Sequence, residues 1–117
     1  MSEFARTRNS YDGSEKSKRL YPPLPEPLEV GTYDNHTHLE IADGDEPLSV
    51  VEHLEMMRQV NMLGAVQVGV TVESSKYSAE LADREPMLLA AVAIHPNEAP
   101  LYGSLKELDV AISEIAD

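Results

Sequence analysis

Asp34-Asn35-His36-Thr37-His38-Leu39 closes the first ordered-looking stretch of the chain. Residues 28–35 lead into it and read as a strand, weakened by Gly31. Side chains on a strand alternate between faces, so Asp34, His36 and His38 point the same way. Two imidazoles two residues apart on a rigid strand can grip one metal ion, and Asp34 can orient a ligand from behind. A bare His-x-His is most often incidental. Here the preceding Asp, the following Leu and the place where strand gives way to loop favour a metal site. In parallel α/β folds chemistry sits at the carboxyl ends of the strands.

Outward from this stretch the pattern alternates. Residues 43–45, Asp-Gly-Asp, read as loop, and Pro47 suits the first turn of a helix. Val50, Leu54, Met57 and Val60 recur at helical spacing, and Gly64 is placed to end that helix. Residues 65–70 read as a short apolar strand. Ser74 or Ser75 can cap a second helix running to about Arg84, with Pro86 as a stop. Residues 88–94 form a near-continuous apolar run, as in parallel strands buried on both faces. Leu105, Leu108, Ile112 and Ile115 mark a third helix. Strand and helix alternate three times, which predicts an α/β fold with βαβ units and a parallel sheet. Each unit takes about 25–30 residues, near the unit length of a (β/α)8 barrel of about 250 residues. A doubly wound open sheet carries the same local pattern.

Toward the N-terminus, residues 1–20 are polar and aperiodic, and are expected to be disordered. Residues 21–27 carry Pro22, Pro23, Pro25 and Pro27, a stiff extended lead-in. The domain is therefore expected to span residues 28–117, after a lead-in over residues 1–27.

Composition narrows the chemistry. The 117 residues suffice for one modest domain and include no cysteine, so disulfides and thiolate metal sites are excluded. Any metal must be held by His, Asp or Glu, which suits Zn, Mn or Mg. No run of about 20 apolar residues exists to span a membrane, and no apolar run follows the early basic residues as in a signal peptide. A cytoplasmic protein is expected. The net charge of −12 falls entirely within residues 33–117, with four basic and sixteen acidic residues. Such a surface repels phosphate backbones over a Debye length of about 8 Å. It is no general nucleic-acid-binding face, so a metal ion or another part of the protein must supply positive charge to any phosphodiester.

The second chemical candidate is Ala93-Ile94-His95-Pro96-Asn97-Glu98-Ala99. His95 ends an apolar strand, as the first pair does, and can face the same mouth. A lone His is more often structural; the parallel placement raises the functional reading. His53, on the first helix among Glu52, Leu54 and Glu55, reads as a surface or partly buried helix residue. No Gly-rich phosphate loop and no nucleophile elbow occurs, and no catalytic acid, base or nucleophile is assigned.

Taken together, the stretch at residues 34–39 and the His95-Pro96 stretch resemble the first two signatures of the TatD-type metal-dependent hydrolases. The resemblance covers about residues 28–117, with both motifs in order and at the right separation. Ala93 stands where the family usually has Gly. The resemblance implies the first three or so strands of a TIM-like (β/α)8 metal-dependent hydrolase barrel. It implies one or two divalent metals and hydrolysis of phosphodiesters, with DNA as substrate and no cofactor besides metal. It carries the metal-ligand role onto His36 and His38, and makes His95 a candidate for substrate contact. The family's next ligand, a Glu in Gly-Glu-x-Gly-Leu-Asp, has no counterpart in these 117 residues. Residues 110–117 imitate it superficially, but they lack both glycines and fit the third helix, so Glu114 is not expected to be a ligand. The chain alone is therefore expected to be inactive. Two rivals remain open. One is a phosphoesterase of the polymerase-and-histidinol-phosphatase class, which also opens with Asp-x-His-x-His. The other is a non-catalytic truncated module.

Overall fold

The computed structural model describes Thr7–Arg8, Arg19–Leu20 and residues 22–42 and 46–117. The expected loop at residues 43–45 and most of the polar N-terminus lie outside the described residues. Within that N-terminus, β1 (Thr7–Arg8) and β2 (Arg19–Leu20) pair antiparallel. The chain divides into two compact units, Met1–Gly31 with Leu39–Met62, and Thr32–His38 with Leu63–Asp117.

The first unit holds α1 (Val50–Gln59). Ser49 caps it: its hydroxyl accepts from Glu52 N, while the Glu52 carboxylate accepts from Ser49 N at 2.7 Å. Such a cap contributes about 1 kcal/mol. Pro47 stands two residues before the cap, outside the first turn. The helix ends at Val60, not at Gly64. Asn61 takes the left-handed turn at φ 62°, a conformation Asn tolerates better than other non-glycine residues. Its amide donates to Leu28 O at 2.9 Å, and Leu28 N donates to Val60 O, tying the strand lead-in to the helix end. Leu54 is the fully buried member of the apolar stripe.

The second unit is built on a sheet ordered β3 (Thr32–Thr37), β4 (Met62–Val68), β5 (Leu88–Ala91). The first residue of β4, Met62, is counted with the first unit. The strands run parallel, with helices between them in the chain, so the βαβ reading holds for the mixed α/β fold. Ala65 pairs with Leu88, and Val68 with Ala91. Two strand boundaries move. The first strand begins at Thr32, four residues later than expected and just after Gly31. The second begins at Met62 and takes in Gly64.

Helix α2 (Val72–Arg84) packs against β5 and against α3 (Leu105–Ala116). Its cap is Thr71, not Ser74 or Ser75. Thr71 Oγ1 accepts from Ser74 N, and Ser74 Oγ accepts in return from Val70 N and Thr71 N. Both serines thus lie within the first turn and not at the cap, and the helix ends at Arg84 as expected. Helix α3 confirms residues 105–116 as helical, with Glu114 on it, paired to Lys76 of α2. Only part of its stripe is covered: Leu108 and Ile115 are half-buried beside the buried Ala111, while Leu105 is 84% exposed.

The run at residues 88–94 corrects the sequence reading most. β5 takes only its first four residues, and of these only Leu88 is buried; Leu89 is 69% exposed. The physical reason is position. β5 is the last strand in the sheet order. Helix α2 packs against β5 and Leu88 is buried, but the face bearing Leu89 carries no equivalent layer among the described residues. No described helix is long and apolar enough to cross a membrane.

Candidate metal centre

Asp34 and His36 lie on β3, and His38 immediately follows its last residue, Thr37. The period-two spacing brings the two imidazoles together as expected. His36 Nε2 and His38 Nε2 stand 3.2 Å apart, with the rings edge to face. Two nitrogens each about 2.0–2.1 Å from one zinc ion, at a tetrahedral angle, lie about 3.3–3.4 Å apart. The observed separation fits two ligands of one ion with little adjustment.

The tautomer fits too. His38 Nδ1 lies 2.8 Å from the Val68 carbonyl at the end of β4. A carbonyl only accepts, so Nδ1 carries the proton and the Nε2 lone pair is turned toward His36. Metal-bound histidines commonly show this arrangement, since the carbonyl fixes ring orientation and raises basicity. Among the described residues no third His, Asp or Glu joins the pair. A zinc site that catalyses typically has three protein ligands and an open position. The two nitrogens alone fall short of that set.

Asp34 supports the pair through the backbone and not through a ring. Its Oδ1 accepts from His36 N at 3.0 Å, which fixes the strand's last turn of direction before His38. His95 lies beyond β5, in the segment leading to a short 3-10 helix (Ala99–Leu101). Its backbone N donates to Val70 O at 2.8 Å, and its Nδ1 accepts from Asn97 N at 3.0 Å. The ring proton therefore sits on Nε2 of the exposed imidazole, leaving a donor available to an acceptor outside. His38 is anchored on Val68 and His95 on Val70, carbonyls two residues apart on one strand end. Both histidines belong to the C-terminal end of the sheet.

Sequence reasoning missed the Val68 carbonyl and the hydroxyl of Ser75. Neither carries a compositional signal: every residue has a carbonyl, and Ser75 reads as one of several serines at a helix start. His53 is a half-buried residue of α1, as expected. Burial lowers its pKa from the ordinary 6.5, against the pull of Glu52. The folded unit favours the neutral ring, so the unfolded chain binds the proton more readily just below pH 6.5. Stability contributed by His53 should then be lost as pH falls from about 6.5 toward the depressed folded value. Denaturant midpoints of the wild type and His53→Gln, compared at neutral and mildly acid pH, should diverge in that sense. Parallel pH profiles would refute it.

No family model, no curated protein and no solved structure matches this chain.

Proposed function

We propose that the chain carries the opening part of a TatD-like metal-dependent phosphodiester hydrolase, a deoxyribonuclease of the cytoplasm built on a (β/α)8-type barrel. The observation that carries this reading is the convergence of His36 Nε2 and His38 Nε2 at 3.2 Å beside the end of a parallel sheet. A bound divalent ion supplies a water acidified toward neutrality and polarises a phosphoryl oxygen. His36 and His38 hold the ion. The Val68 carbonyl keeps the His38 lone pair aimed, and Asp34 keeps the His36 backbone in place. His95 Nε2–H offers a hydrogen bond to a phosphate oxygen. The acidic surface makes this division of labour necessary, because a net charge of −12 gives a DNA strand no general attraction. Further metal ligands come from outside the described residues.

The test is metal-dependent cleavage of single-stranded DNA and of bis(p-nitrophenyl) phosphate. It compares the 117-residue chain with the product of the same reading frame carried on to its next stop codon. Turnover by the longer product with Zn, Mn or Mg, lost in His36→Ala, is expected. The 117-residue chain should bind metal without robust turnover. A stop codon directly after Asp117 would favour a non-catalytic module. Turnover indifferent to His36→Ala would place the active site elsewhere.

A further inference from the structure

Ser75 is fully buried, yet its hydroxyl takes no part in the cap of its own helix. Instead it reaches the strand that leads to His95. Ser75 Oγ donates to Ala93 O at 3.0 Å and accepts from Ala93 N at 3.1 Å. One side chain thus satisfies both backbone groups of a single residue in another segment.

The pairing on either side shows what this does. Gly69 N donates to Ala91 O at 2.8 Å, continuing the β4–β5 ladder. The next bonds of a parallel ladder would run from Ala93 N to Gly69 O and from His95 N to Thr71 O. The first is replaced by the Ser75 hydroxyl. The second goes to Val70 O, one residue short. Thr71 O is already engaged by Ser75 N as the first bond of α2. One extra residue therefore enters on the β5 side between Ala91 and His95, past the last strand residues Val68 and Ala91, and shifts where His95 comes to lie against Val70. Bulges of this kind re-aim side chains beside active sites. Gly69 makes room for the clamp: a Cβ there would stand 2.4 Å from Ser75 Cα and 2.5 Å from its Oγ.

We propose that Ser75 is a positioning residue, whose bidentate hold on Ala93 fixes the register slip that turns His95 toward the His36–His38 end of the sheet. The proposal rests on the metal-site reading above for its functional meaning. The slip itself does not depend on that reading.

Nitrogen-15 NMR of the imidazoles in the 117-residue chain separates the two. In the wild type His95 should show one tautomer, protonated on Nε2, because Nδ1 accepts from Asn97 N. Manganese ion bound at His36 and His38 should broaden the His95 signals as well as its ligands. In Ser75→Ala the single tautomer should give way to a mixture, and the broadening of His95 should fall several-fold while that of His36 and His38 persists. Ser78→Ala is the control. Ser78 is equally buried, but its hydroxyl donates only to Ser74 O within the same helix, so its loss matches a merely structural defect. Ser75→Cys, which keeps the volume and weakens the hydrogen bonds, repeats the readout should the alanine variant not fold. His95 unchanged in both Ser75 variants, or equally changed in Ser78→Ala, would overturn the proposal. Failure of manganese to broaden His36 and His38 in the wild type would remove the metal reading. The tautomer comparison would then still decide whether Ser75 sets His95.

Discussion

Replacing His38 with alanine should lower the affinity of the chain for Zn²⁺ or Co²⁺ by more than about 100-fold, beyond the range typical of losing an outer-sphere partner alone. Two effects combine at this residue. The substitution removes Nε2, one of two donors 3.2 Å apart. It also discards the Val68 contact that holds the donor in its metal-binding tautomer. What remains is one exposed imidazole, His36, with the weak affinity of any surface histidine. His36→Ala should cost nearly as much, but it leaves His38 oriented by its carbonyl, so the residual site should be slightly tighter than in His38→Ala. Competition against a chromophoric chelator measures both. Affinities within a few-fold of the wild type in both variants would mean that the pair does not hold the ion. A His95→Ala variant should leave metal affinity nearly unchanged, since its ring is bound to Asn97 N and not to the pair.

The histidine pair was legible because period-two spacing is a property of the strand itself and survives errors in where the strand starts. The first strand is expected at residues 28–35, yet β3 covers Thr32–Thr37, and the rings of His36 and His38 still come together. Helix existence was legible for a similar reason. The stripe of Leu105, Leu108, Ile112 and Ile115 rests on several residues at once. Boundaries set by one residue were not. Gly64 reads as a helix terminator, but Asn61 had already taken the left-handed turn. Ser74 and Ser75 read as caps, but Thr71, whose residue type is equally fit for capping, lies closer to the strand. The run at residues 88–94 has the composition of a buried strand, and only the sheet order reveals that β5 is its last member. Contacts made by backbone carbonyls, such as Val68 to His38, leave no trace in composition at all.

Gly64→Ala should destabilise the second unit by about 3 kcal/mol, at the upper end of the usual range for overpacking. The argument turns on what the new methyl would meet. A Cβ at residue 64 would stand 2.4 Å from the Met87 carbonyl oxygen and 3.0 Å from Tyr33 Cε1. The tyrosine ring is 66% exposed and can swing away, but the carbonyl cannot. It accepts from Ala65 N at 3.0 Å, the bond that starts the β4–β5 ladder. Relieving the clash therefore means prising the two strands apart where their pairing begins. Gly103→Ala gives the contrast. Its Cβ would meet Glu107 Oε2 at 2.7 Å, the free end of an exposed side chain, so the loss should stay near that of one surface hydrogen bond, about 1 kcal/mol. Chemical denaturation of both variants measures the difference, which is large against a total stability of about 5–15 kcal/mol. The effect should also reach the metal. Val68, four residues along the same strand, presents the carbonyl that orients His38, so a displaced β4 should weaken zinc binding in Gly64→Ala and not in Gly103→Ala. Equal stability losses in the two variants would show that Gly64 is not held against the β5 backbone. A Gly64→Ala protein of reduced stability but unaltered zinc affinity would uncouple the His38 anchor from the packing of the sheet.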